Sequence, residues 1–237
     1  MTASSRALTS GGSRLEFDVL RVPRKTMEIA VLPDGRVVVK APLDAEDEDI
    51  EARVLRRARW IRRQQAYFDQ FRPRTPPRQY IGGETHRYLG RQYRLKLVRG
   101  ERSSVKLSRG YFWVTCRGDD QPDAVRRLLW QWYSQRAHEK FAESFERCWP
   151  HFSRQGLPRP SLKIRRMKTR WGSLSEGGTL TLNVRLIQAP RECIDYVITH
   201  ELCHLKHPDH SPAFYRLLEK VMPDWERRKY KLELSLI

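Results

Sequence analysis

The chain has 237 residues, 39% of them hydrophobic, and a formal net charge of +18. That supports one substantial core or two modest ones without covalent staples. Four scattered cysteines (Cys116, Cys148, Cys193, Cys203) with no CxxC pair argue for reduced thiols and against a disulfide framework. The opening MTASSRALTSGGSRLEF has no apolar core of a signal peptide, and no apolar run approaches the ~18 residues of a membrane span. The expectation is a cytoplasmic protein with no membrane partner.

The positive charge is spread along the chain: residues 1–120 carry 25 basic and 15 acidic side chains, and the remainder 21 and 13. Such a field attracts polyanions, which makes nucleic acid a candidate partner. No zinc-finger cysteine pairs, RNA-binding aromatic signature or phosphate-cradling glycine loop accompanies it.

In chain order, residues 1–13 are small and polar and read as a disordered lead. LEFDVLRV, MEIAVLP and VVVKAP read as short strands, with Asp34-Gly35 turning a hairpin between the last two. Six acids from Asp44 to Glu51 lead into a helix on which Val54, Ala58, Ile61 and Phe68 recur at helical spacing. Its six arginines from Arg53 to Arg63 read as a solvated face. RPRTPPRQ is an extended linker. HRYLGRQYRLKLV, SSVKLS and YFWVTCR then alternate as in a small antiparallel sheet. Residues 122–149 turn helical, with Val125, Leu128, Leu129, Trp132, Tyr133 and Phe141 on one side. The turn Glu176-Gly177-Gly178 precedes TLTLNV, whose Leu180, Leu182 and Val184 share a face. The implied division is a lead over 1–13, a β-rich region with one helix over 14–118, and a catalytic region over 119–237.

The chemistry gathers in THELCHLKHPDHSPAFY, residues 199–215, which holds four of the seven histidines. Ile194, Ile198, Leu202 and Leu205 make an apolar helical stripe, and Pro190 suits the helix start. His200 and His204 lie four apart, about 40° around the axis, so both imidazoles reach one point beside the helix. Glu201, about 100° from His200, can lean over an ion there without ligating it. HExxH on a helix is the arrangement in which zinc activates water and the glutamate serves as general base.

A catalytic zinc usually takes three protein ligands and a water. On an unbroken helix His207 would lie about 10 Å along the axis from His200, too far for Zn–N bonds of about 2 Å. Pro208 points to a helix break, after which Ser211-Pro212 caps and starts a new helix. His210, just ahead of it, is aimed back at the ion. The ligand set read from these residues is His200, His204 and His210, with His207 outside it. Arg170, Asn183 and Tyr215 are candidate oxyanion or substrate groups, though each type is more often structural. TLTLNV, if it lies at a sheet edge beside the site, can hold an extended peptide. Trp171 and Gly172 read as a packed turn.

KTRWGSLSEGGTLTLNVRLIQAPRECIDYVITHELCHLKHPDHSPAFYRLLEKVMPDWERRKYKL resembles the YgjP-like bacterial metallopeptidases, relatives of the SprT-like and minigluzincin zinc proteases. RKTMEIAVLPDGRVVVKAP, WIRRQQAYF and YLGRQYRLKL extend the resemblance through most of the chain. It implies an α+β fold: a small zincin-like domain whose HExxH helix packs on a small antiparallel sheet, preceded by a β-hairpin and helix region. It also implies zinc on His200, His204 and His210, Glu201 as base, and a peptide or protein substrate. Leu174 departs from the cysteine common after RWGS in that family. The alternative is a basic nucleic-acid module with structural or vestigial zinc, or a protease recruited to DNA-bound protein.

Overall fold

A computed structural model describes residues 3–24, 26–32, 34–69, 77–118, 121–167 and 170–235. The chain divides into two compact units, residues 1–75 and 76–237, and its architecture is α+β with small sheets.

In the first unit, strands β1 (Ala3–Ser10), β2 (Ser13–Arg21), β3 (Glu28–Val31) and β4 (Val37–Ala41) form a sheet of order β1-β2-β4-β3. The described part of the lead expected to be disordered is thus a strand, paired antiparallel with β2 from Ala3↔Leu20 to Ser10↔Ser13. Gly11 and Gly12, at φ 54° and 76°, close the tight hairpin whose left-handed backbone matches strand twist. Backbone pairing therefore orders a segment whose polar side chains gave no sign of it. The single helix expected next is two, α1 (Asp47–Arg56) and α2 (Ala58–Asp69). They are divided at Arg57 (φ −99°, ψ 3°), whose N–H reaches both Arg53 O and Val54 O. Phe17, Val19, Val37, Val39, Ile50, Val54 and Ile61 fill this unit's core. Most of the linker RPRTPPRQ lies outside the described residues.

The second unit opens with β5 (Thr85–Tyr88), β6 (Arg91–Arg99), β7 (Ser104–Ser108) and β8 (Tyr111–Cys116), in the order β5-β6-β8-β7. The sheet is mixed where an antiparallel one was expected, because β6 and β8 run parallel. Phe112 and Val114 of β8 share one core with Val125, Leu129 and Tyr133 of the long helix α3 (Pro122–Cys148). The division expected after residue 118 consequently falls inside this unit.

After α4 (Pro150–Ser153), strands β9 (Ser161–Arg165), β10 (Gly172–Leu174) and β11 (Thr179–Asn183) form a second sheet of order β10-β11-β9. The chain reverses before β10 and again at the Glu176–Gly178 turn, so β9 and β11 run parallel and this sheet too is mixed. A 3₁₀ turn (Val184–Gln188) leads into α5 (Arg191–Cys203), followed by α6 (Pro212–Val221) and α7 (Trp225–Ser235). Ile194, Ile198 and Leu202 of α5 are wholly buried, each contributing about 1.5–3 kcal/mol relative to exposure. Arg147 on α3 pairs with Asp195 on α5 at 2.8 Å. The helix that carries HExxH is thereby anchored along its length against α3, β10 and β11. No helix among the described residues is long and apolar enough to cross a membrane.

Candidate active site

The last turn of α5 presents His200, Glu201 and His204, the last of these at the C-cap. Tight turns follow, with Leu205 N–H on Leu202 O (3.1 Å) and His207 N–H on Cys203 O (3.0 Å). The helix stops ahead of Pro208, and the chain re-enters helix at Pro212 with Ser211 at the N-cap, though the serine side chain makes no capping bond. This reversal returns His210 to the helix end. One ligand atom each from His200, His204 and His210 lies within 4.8 Å of the others, and the Nε2 atoms of His200 and His210 are 3.0 Å apart.

His207 stands outside this cluster, but its main chain supports it. The His207 carbonyl lies 3.0 Å from His204 Nδ1; since a carbonyl only accepts, that nitrogen carries the proton and Nε2 keeps its lone pair for an ion. Phe214, wholly buried on α6, packs 4.7–5.0 Å from all three imidazole centroids. Burial, then the neighbouring His204 and His210, push His200 down to about 3. Burial also lowers His210. Both effects favour neutral imidazole, the form that ligates. Three converging imidazole nitrogens, one with its tautomer set by a backbone carbonyl, fit a borderline-soft divalent metal.

Glu201 is 9% exposed. Burial pushes its carboxyl up to about 7, against the opposing pull of the Leu174 backbone N–H and of Arg170. The β10 strand that carries Leu174 is one edge of its sheet and β9 the other, whereas β11 is paired on both sides. The edge sought in TLTLNV therefore belongs to β10. Asn183, a candidate substrate group, is 2% exposed and braces a loop: its amide donates to Met167 O (2.9 Å) and Arg170 O (2.8 Å), and its Oδ1 accepts from Arg185 N (3.1 Å). Tyr215 is 40% exposed, its ring 6.3 Å from that of His210.

A cavity of about 240 Å³ opens on this site, lined among others by Arg170, Gly172, Tyr196, His200, Glu201 and Glu233. Of these, Gly172 belongs to strand β10 rather than to the expected turn, and Glu233 carries no signal in the sequence. Phe214 was legible only as an apolar position at helical spacing with Leu218 and Met222.

No match was found among curated proteins. A solved structure, the metallopeptidase zymogen of Pyrococcus abyssi abylysin, is 33% identical over 38% of this chain and 87% of that one, with a TM-score of 0.33. The family model for the YgjP-like metallopeptidase domain matches residues 25–235. With that match spanning nearly all of its length, the chain belongs to the YgjP-like metallopeptidases, metal-dependent hydrolases of peptide bonds.

Proposed function

We propose that this metallopeptidase is zinc-dependent, with His200, His204 and His210 as ligands and Glu201 as general base, in a zincin-like catalytic unit. The observation that carries the reading is the convergence of three imidazoles beside a buried glutamate one residue along the same helix. Nitrogen-only ligation of this kind suits zinc. When bound, zinc lowers the pKa of a coordinated water and polarises the scissile carbonyl. Glu201 takes the proton of the attacking water on its carboxylate and passes it to the leaving amine. The close wall of Gly172 bounds that carboxylate. The outer edge of β10 offers its backbone groups to an extended peptide, which adds as a further strand.

Glu201→Gln tests the reading, because the amide cannot accept a proton and is not a ligand. The variant should keep full zinc by elemental analysis and cleave a proteome-derived peptide library about 10²–10⁴-fold more slowly than wild type. Equal cleavage at equal zinc content would remove Glu201 from the role of base. Absence of cleavage by either protein, with DNA binding by both that falls steeply with salt, would favour a basic nucleic-acid module instead.

A further inference from the structure

Glu233, on α7, lines the same cavity as His200 and Glu201. Its Oε2 is fully buried with no hydrogen-bond partner among the described residues. A desolvated carboxylate oxygen without a donor is costly, and an amide or apolar side chain of similar shape would avoid most of that cost. Arg170 and Lys229 line the same cavity, and neither meets Glu233 Oε2. The lining thus holds one buried carboxylate oxygen that no cation among the described residues satisfies. At about 240 Å³, the space is below the ~300–1,000 Å³ typical of sites for whole small ligands. It suits one side chain or one chain end.

We propose that Glu233 is a specificity-determining residue that receives a cationic nitrogen of the substrate, in a single subsite beside the scissile bond. A donor there supplies the missing hydrogen bond and the counter-charge together, and neutral peptides leave the carboxyl unmet. The nitrogen comes from a Lys or Arg side chain or from the α-ammonium of a peptide's first residue. This inference rests on the peptidase reading above.

The test uses full-length, zinc-loaded wild type, Glu233→Gln and Glu201→Gln on one proteome-derived peptide library, once with free N-termini and once N-terminally acetylated. Wild type should enrich Lys or Arg at one fixed position from the cut in both libraries, which identifies a side chain. Cleavage near the N-terminus that acetylation abolishes identifies the α-ammonium. Either outcome supports the proposal if Glu233→Gln, with unchanged zinc content and a melting temperature no lower than wild type, loses the preference. Its ratio of kcat/KM on cationic over neutral peptides should fall about 10–100-fold, the range for a hydrogen bond to a charged group. A preference that persists in Glu233→Gln, or a wild type indifferent to cationic groups, overturns this inference alone. Wild-type cleavage no faster than that of Glu201→Gln overturns the peptidase reading and this inference with it.

Discussion

A Cβ placed on Gly172 would lie 2.7 Å from Glu201 Cγ and 2.8 Å from its Oε1, so the edge strand β10 and the glutamate of the HExxH helix fit only because residue 172 has no side chain. Backbone strain plays no part; the constraint is steric. Gly172→Ala should displace the carboxylate while leaving the three imidazoles alone. Peptidase activity should drop about 10²-fold, the typical loss for a misplacement near 1 Å, at unchanged zinc content. Full activity in this variant would show that the carboxylate position is immaterial.

Among the histidines, the ranking of zinc loss should separate side chain from main chain. His200→Ala, His204→Ala and His210→Ala each remove one of the converging nitrogens, and each should lower zinc occupancy in elemental analysis. His207→Ala keeps the carbonyl that accepts from His204 Nδ1, and should retain zinc close to the wild-type level. A larger loss in His207→Ala than in His210→Ala would reassign the third ligand.

Removal of the metal should lower stability. Zinc would tie the C-terminal end of α5 to the returning segment that carries His210, and a ligand bound only by the folded state stabilises it by about 2.7 kcal/mol at a hundredfold excess over Kd. Calorimetry before and after chelation should show a lower melting temperature, restored by added zinc. An unchanged transition in a sample shown to have lost its zinc would place the ion outside the folding unit.

The carboxyl of Glu233 gives stability a pH dependence of known sign. Burial raises it from 4.5 to about 7, so the folded state holds this proton more tightly than the unfolded chain. Its contribution is fully present below pH 4.5 and is lost as pH rises through about 7. Glu233→Gln has no proton to lose. The melting temperature of the variant relative to wild type should therefore climb between pH 4.5 and 8 and level off above. A difference that stays constant across that window would mean the carboxyl is not held in a desolvated place.

The sequence by itself determined what depends on neighbours along the chain. The four-residue spacing of His200 and His204 puts both on one side of any helix, and Ile194, Ile198 and Leu202 make that segment helical and buried. Pro208 ends it, and Ser211-Pro212 restarts the chain as helix. Those local rules made the clustering of His200, His204 and His210, the glutamate between and most of the later helices readable, along with the family resemblance.

Only the tertiary structure decided which remote segments meet. The order β10-β11-β9 puts β10 rather than TLTLN on the edge, Gly172 against Glu201 and Asn183 into a structural brace. It also brings Glu233 of α7 to the cavity of the catalytic helix. The mixed pairing of both sheets in the second unit belongs to the same class, as does the pairing of Ala3–Ser10 with β2. Strand partners are chosen by backbone hydrogen bonds and by packing over the whole core, and neither leaves a period in the sequence.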